Sequence, residues 1–482
     1  MNRVVTVGQM RECETQAAKI GLNEDILIEN AAASMLGAIE GELGRKNKIA
    51  VVIGCGNNGA DGASLARLLM LKGYRTDAVK AGEKSNAAVK SRLAAFAALG
   101  GRIYTLREFE KRADLYDVII DAVFGVGLNR AADGEFKTAI ELINGVGAKV
   151  IAADIPSGLC ADSGKALGCA VKADITVTFS AYKYGHFLGD GADFCGRVKV
   201  VNIGIPVSVG AILCEDETPR LPSRKRVAHK GDYGRVCIIG GCPTMTGAPQ
   251  LCALSALKNG AGLVTICVAR SLKDAFYDKV KEATLAFLPD KDGYIAFDEI
   301  ALRELTQNAD VVALGMGMGA NEDLPDILGY LCRNFEGTVI LDADALNAVK
   351  GRDDIFEGHK CRLVLTPHRG EFRRLFGECD ESKIIDRTRE VAKKLNAVVV
   401  NKSNCTVISD GERVYINAAG SPAMAKGGSG DALAGAIAAL SARLDIAEAA
   451  AKACYIMGKA GEKASQELGE NSVLVSESID LI

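Results

Sequence analysis

Short apolar, β-branched runs alternate with helix-patterned segments along the whole of this chain. KIAVVIG (48–54), DVIIDAVFG (117–125), AKVIAADIP (148–156) and ADITVTFS (173–180) have the continuous hydrophobicity of strands buried on both faces. RVCIIGG (235–241), GLVTICV (262–268), DVVALGMG (310–317), GTVILDAD (337–344), RLVLTP (362–367) and AVVVNKS (397–403) repeat the pattern. Between such runs, SLARLLMLKG and EFKTAIELING carry apolar residues at helical spacing and end in glycine. This alternation predicts an α/β fold with helices on both faces of mostly parallel sheets, and ligand sites at the carboxyl ends of the strands.

The chain has 482 residues, more than the ~250–300 at which single hydrophobic cores stop growing. A boundary is expected in VSVGAILCEDETPRLPSRKRVAHKG, between Val207 and Lys230, which lacks periodicity, carries two prolines and ends in a basic cluster. Two domains follow, 1–212 and 213–482. The formal charge of −3 and the absence of tryptophan argue against a nucleic acid partner. Fifteen cysteines scattered without a close C-x-x-C pair fit a reducing compartment rather than a disulfide framework. The four histidines lack metal-ligand spacing, which argues against zinc. MNRVVTVGQMRECE has no apolar signal region, and no run of about 18 apolar residues suggests a membrane span. A cytoplasmic protein with no membrane partner is expected.

Glycine supplies 53 of the residues, above its usual share of about 7%, and its motifs sit at strand ends. In GCGNNGADG (54–62), Gly54, Gly56 and Gly59 satisfy G-x-G-x-x-G, and Asp77 follows at the spacing of a ribose-binding acid. A dinucleotide dehydrogenase and a purely structural turn both accommodate that pattern. Asn57, Asn58 and Asp61 crowd further polar groups into the turn ahead of a helix expected to begin near Ala63. Backbone amides there suit phosphate, and side-chain oxygens suit a ribose or a cation. DAVFGVGLNR (121–130) and DIPSGLCADSG (154–164) add Asp121, Asp154 and Ser157 at two more strand ends. Singly each acid could cap a helix; together they define a site.

These motifs, with AYKYGHFLGDGADFCGRVKVVNIGIP, resemble the YjeF N-terminal domain of the NAD(P)H-hydrate epimerases. The resemblance implies a Rossmann-like three-layer α/β/α domain. It further implies that Asn57, Asn58, Gly59, Ala60, Asp61, Gly125, Val126, Gly127, Leu128, Asn129, Arg130, Ala131 and Asp154 contact the hydrated dinucleotide. Asn58, Asp121 and Ser157 would hold a potassium ion. Ala60 stands where the family usually has glycine. Epimerising a carbon that bears a hydroxyl and a ring nitrogen needs an acid or base beside it. Asp154 is the first candidate; Lys183 is the second, with a solvated surface lysine as its alternative.

In the second half, INAAGSPAMAKGGSGDALAGAIAALSA (416–442) opens a long apolar helix with GGSGD. The amides of Gly428, Ser429 and Gly430 would form an anion hole at its N-terminus. Asp431 would either complement the helix dipole or act as a general base. No G-x-x-x-x-G-K-[ST] sequence is present, which argues against a P-loop enzyme. The series from KGDYGRV through TMTGAP, LGMGMG, LDADALN and LTPHRGEF to GGSGD resembles the ADP-dependent NAD(P)H-hydrate dehydratases, of ribokinase-like α/β/α fold. By that resemblance Ala261, Gly317, His368 and Asp431 meet the hydrated cofactor. Lys402, Ser403, Asn404, Cys405, Thr406 and Gly430 meet ADP, and Asp342 and Asp344 either lie near magnesium or are structural acids. Met316, Arg369 and Ser403 depart from the family pattern.

The expectation is a bifunctional repair enzyme of hydrated NADH and NADPH, with ADP as co-substrate, potassium in the first domain, magnesium in the second, and a homo-oligomeric state. The alternative is a vitamin or sugar kinase with a non-catalytic N-terminal binding domain.

Overall fold

The computed structural model describes residues 2–220 and 223–482. The chain divides into two compact units, Asn2–Ala211 and Ile212–Ile482. In the first, the strands are β1 (Arg3–Val5), β2 (Lys48–Ile53), β3 (Arg75–Lys80), β4 (Arg102–Thr105), β5 (Val118–Ala122), β6 (Lys149–Ala153), β7 (Ile175–Phe179), β8 (Tyr182–Lys183) and β9 (Arg197–Val201). Seven of them form a sheet in the order β4-β3-β2-β5-β6-β7-β9, and every pairing in it is parallel. Alternate residues of β2 explain the three layers. Ile49, Val51 and Ile53 face one apolar cluster, while Ala50 and Val52 face another on the opposite side. The chain leaves β2 toward β3 on one flank and later returns to β5 on the other, so a topological switch point lies between β2 and β5.

The second unit is built on β10 (Ala211–Leu213), β11 (Arg235–Ile239), β12 (Leu263–Ala269), β13 (Thr284–Leu288), β14 (Asp290–Lys291), β15 (Tyr294–Ile295), β16 (Val311–Leu314), β17 (Thr338–Leu341), β18 (Arg362–Leu365), β19 (Ala397–Asn401), β20 (Thr406–Ser409) and β21 (Val414–Asn417). Its main sheet runs β13-β12-β11-β16-β17-β18-β19-β20-β21-β10. The strands from β13 to β19 are parallel, and β20 then runs antiparallel to both neighbours. The helices Gly247–Lys258 and Ser429–Ser441 are rich in small residues and share one buried cluster with the sheet. The ten predicted strands are all present. Strands outside those runs include β3, whose Arg75, Thr76, Asp77 and Lys80 break the apolar run, and the pieces of two or three residues β1, β8, β10, β14 and β15, too brief to show a period.

Candidate active sites

In the first unit the helix after β2 begins at Asn57, not near Ala63. Asn57, Asn58 and Asp61 therefore occupy its first two turns instead of the preceding loop. The glycines here answer chiefly to the backbone. A Cβ at Gly54 would lie 1.9 Å from the Val123 carbonyl oxygen, and one at Gly59 would lie 2.3 Å from that of Gly54. A Cβ at Gly56, by contrast, meets nothing within 4 Å. Ala60 is fully buried within an apolar cluster, which accommodates its Cβ.

A cavity of about 830 Å³ opens at the carboxyl edge, beside the switch point. Asn57, Asn58, Asp61, Gly125, Val126, Gly127, Leu128, Asn129, Arg130 and Asp154 all line it. Gly59, Ala60 and Ala131 are not among its lining residues. The sequence reading missed Arg11 and Glu14, which reach the cavity from the helix Val7–Lys19. No local motif marks them, because the fold brings that helix across the sheet edge.

Asp154 directly follows β6 in a left-handed conformation with φ of 65°. Such backbone in a non-glycine residue persists only where its surroundings hold it, and often at functional sites. Its Oδ1 accepts from Lys183 Nζ at 2.5 Å, from Thr178 Oγ1 at 3.0 Å and from the Phe179 amide at 3.4 Å. Lys183 is 1% exposed, so it is no solvated lysine; Thr178 Oγ1 and the Phe179 carbonyl also take its ammonium. Burial works against the Asp154 carboxylate, but the Lys183 charge and hydrogen bond outweigh it and hold the pKa below the usual range. His186 lies beneath, pushed down to about 4 by burial and by Lys183. Its Nδ1 accepts from the Lys183 amide, so Nε2–H donates to the Asp154 carbonyl at 3.0 Å.

Asp121 is wholly buried. It accepts from the Ser157 amide at 2.8 Å, from Ser157 Oγ at 2.6 Å and from the Val123 amide at 3.2 Å. Burial, against those bonds, pushes its pKa up to about 6. Nearby, the Asn58 carboxamide is buried with neither its oxygen nor its nitrogen hydrogen-bonded. An orphaned amide in such a place is costly unless a ligand meets it. Asp77 does not serve a ribose: it sits within β3 and accepts from Tyr116 Oη at 2.9 Å.

The second unit gathers its polar residues at the carboxyl edge as well. Asp342 follows β17 and is 2% exposed. Its Oδ1 accepts from Lys402 Nζ and from Thr366 Oγ1, both at 2.6 Å. The helix Ser429–Ser441 points its N-terminus at this pair. A Cβ at Gly430 would stand 3.3 Å from Lys402 Nζ and 3.4 Å from Asp342 Oδ2. Gly428 caps that helix with φ of 100° and no side chain, and Ser429 Oγ donates to the Met424 carbonyl. The Ser429 amide donates to the Lys426 carbonyl at 3.3 Å, so the expected anion hole loses that donor and the glycine amides on either side of it are what the first turn presents. Asp431 lies in the same turn, and burial, then the charge of Asp342, pushes its pKa up to about 7. Asp344 Oδ2 accepts from the Gly319 amide at 2.7 Å.

His368 caps the helix Arg369–Phe376, its Nδ1 accepting from the amides of Gly370 and Glu371. It bridges Lys402 by backbone pairing. Gly317, with φ of 65°, follows β16 at the same edge. Ala261 is not brought to this group; it precedes β12 and so stands at the opposite, amino edge. In the turn from Lys402 to Thr406, Ser403 Oγ donates to the Cys405 carbonyl at 2.6 Å. Cys405 itself is buried, leaving Asn404 exposed at the tip. The departures from the family pattern are absorbed locally: Met316 is fully buried, and Arg369 pairs with Glu381 at 2.6 Å.

Two family descriptions match this chain, "YjeF-related protein N-terminus" over residues 24–185 and "NAD(P)H-hydrate dehydratase" over residues 236–481. A bifunctional NAD(P)H-hydrate repair enzyme of Thermofilum pendens is 36% identical, over 98% of this chain and 94% of its own. The chain belongs to the bifunctional NAD(P)H-hydrate repair enzyme family. The homologue of that name from Moorella thermoacetica is 35% identical over 99% of this chain and 96% of its own. Among solved structures, the ADP/ATP-dependent NAD(P)H-hydrate dehydratase of Bacillus subtilis, co-crystallised with ATP and Mg2+, is similar over 55% of this chain and 92% of its own, at 28% identity and a TM-score of 0.47. No helix among the described residues is long and apolar enough to cross a membrane.

Proposed function

We propose that the unit Asn2–Ala211 interconverts the R and S epimers of hydrated NADH and NADPH, and that the unit Ile212–Ile482 dehydrates the S epimer with ADP as co-substrate. The chain is then a bifunctional NAD(P)H-hydrate epimerase and dehydratase. The observation that carries this reading is a pair of unlike sites on one chain. One is a large cavity walled by a buried Asp154–Lys183 ion pair, and the other a carboxyl poised near neutrality at a helix N-terminus.

In the dehydratase site Asp431 takes the proton from the C6 hydroxyl of the hydrate. The hydroxyl oxygen attacks the terminal phosphorus of ADP, and the P–O bond to AMP breaks. A carboxyl with pKa near the working pH is matched to that transfer. The amides of Gly428 and Gly430 and the Lys402 ammonium would stabilise charge gathering on the phosphoryl oxygens; the Ser429 amide, expected to join them, donates instead to the Lys426 carbonyl at 3.3 Å. Phosphorylation makes the C6 oxygen a leaving group; phosphate departs, taking up the proton lost from C5, and the ring double bond returns. Asp342 Oδ2 faces the Gly430 turn while Oδ1 is held by Lys402 and Thr366, so this carboxylate fits a magnesium ion. Such an ion would neutralise phosphate charge.

In the epimerase site the orphaned Asn58 carboxamide, with the oxygens of Asp121 and Ser157, fits an alkali cation, which prefers oxygen donors. Potassium held there would supply a fixed positive charge for the cofactor. Asp154, kept ionised by Lys183, is suited to accept the proton of a water or hydroxyl oxygen that bonds to C6. A homo-oligomer and a cytoplasmic location complete the proposal. The test is the Asp431→Asn variant of the full chain, assayed by chromatography that resolves the two epimers. ADP-dependent formation of NADH should fall at least ~100-fold, with epimerisation unchanged; near-normal NADH formation would reject the base assignment.

A further inference from the structure

The cavity of the first unit holds a second carboxyl, from a different element, whose surroundings are the opposite of those of Asp154. Asp61 lies in the second turn of the helix Asn57–Leu71 and lines the cavity with Asp154. Asp154 is met by an ammonium, a hydroxyl and an amide. The Asp61 carboxyl has no hydrogen-bond or ion-pair partner among the described residues.

We infer that Asp61 is the general acid of the epimerase site, delivering the proton that turns the departing C6 hydroxyl into water. The inference rests on the reading of this cavity as an epimerase site. The charges around Asp61 favour a protonated carboxyl. Glu14 faces it from the helix Val7–Lys19, Glu24 from the start of the helix Glu24–Ile39, and Asp154 from the end of β6. Arg92, on the helix Ala87–Ala98, opposes them; its Nη2 donates to Asp25 at 2.9 Å, while its Nε lies 3.7 Å from Glu29 without a hydrogen bond. The Lys183 ammonium belongs to Asp154. Burial first, then the Asp154 charge, raise the Asp61 pKa well above the carboxylate range. Two carboxyls in one cavity with environments that push their pKa values apart form a ready acid and base.

The step balances. The C6–O bond breaks with its electron pair on oxygen, which takes the Asp61 proton and leaves as water, while the lone pair of the ring nitrogen forms C6=N. A water molecule then adds to the other face of C6 and gives its proton to Asp154. One water leaves, one enters, and one proton passes from Asp61 to Asp154. The resulting protonation state is the one that runs the opposite conversion, so both epimers are served.

The experiment uses the full-length protein and its Asp61→Asn and Asp61→Glu variants. Interconversion of purified R and S NADH hydrate is followed across pH, with the uncatalysed rate subtracted, and hydrate affinity is measured separately. Asp61→Asn should lower the epimerisation kcat at least ~100-fold while hydrate Kd changes less than about threefold. The wild-type alkaline limb of the kcat profile should vanish in that variant. Asp61→Glu, which keeps an acid, should restore part of the rate together with an alkaline limb, and it tests the claim even if the Asn variant does not fold. A normal kcat in Asp61→Asn, or a loss confined to Kd, would overturn the assignment of Asp61 alone. Failure of the wild-type protein to interconvert the epimers would overturn the epimerase reading itself.

Discussion

The Lys183 ammonium meets Asp154 Oδ1 at 2.5 Å inside the protein, with 1% of the lysine and 8% of the aspartate exposed. Removing one partner of such a pair leaves an uncompensated buried charge, at a cost of about 3–5 kcal/mol. Asp154→Asn should therefore shift the urea unfolding of the full chain to lower denaturant, read by circular dichroism. Epimerisation should fall at least ~100-fold, while ADP-dependent dehydration of the pure S epimer continues. The sign with pH is defined: folding lowers the Asp154 pKa, so the pair stabilises above the ordinary value near ~3.9 and loses its effect as acid protonates the folded carboxyl. An unshifted transition would contradict this account of the pair.

Asp431 works in the other direction. Its pKa rises from 3.8 unfolded to about 7 folded, so the folded chain holds the proton more tightly. The contribution to stability is full below the unfolded value and is lost as pH rises through the folded one. Asp431→Asn should be neutral for stability near pH 4 and stabilising by about 1–3 kcal/mol at pH 8, measured by thermal unfolding at both pH values. A stabilising change that is equal at both would contradict the assigned shift.

The glycine loop offers a paired test. Gly54→Ala drives a Cβ into the Val123 carbonyl, whereas Gly56→Ala meets open space. Backbone cannot yield as a flexible side chain can, so Gly54→Ala should cost at least about 1–3 kcal/mol. Gly56→Ala should retain wild-type stability. Equal unfolding midpoints would show that the close approach is not required.

Potassium should matter to one activity only. The orphaned Asn58 amide and the Asp121–Ser157 pair belong to the first unit. Exchange of potassium for a large organic cation should slow epimerisation and spare dehydration, and Asn58→Leu should make epimerisation insensitive to the exchange.

Much of the fold could be read before the structure, because parallel strands buried on both faces leave continuous apolar runs such as KIAVVIG. The strand ends also foretold which acids gather, since Asp121 and Asp154 belong to adjacent parallel strands or their ends. What the sequence could not convey was partnership. Lys183 looks like any surface lysine until β8 is placed beside Asp154. Asp77 has the spacing of a ribose ligand, yet Tyr116, 39 positions away, claims it. Gly54 and Gly59 resemble ligand-binding glycines, but their missing side chains make room for backbone. Arg11 and Glu14 reach the cavity only through the tertiary path of the first helix. Lys402 read as a nucleotide contact, and its ammonium is also the partner of a buried acid.

The central claim is that two activities act in sequence on one pool of hydrated cofactor. The direct measurement is a time course of NADH formation from an equal mixture of R and S NADH hydrate, with and without ADP, corrected for uncatalysed epimerisation. With ADP, conversion should run to completion, and without ADP no NADH should form while the epimers still exchange. Conversion that stops at half with ADP, or that proceeds without it, would contradict the account.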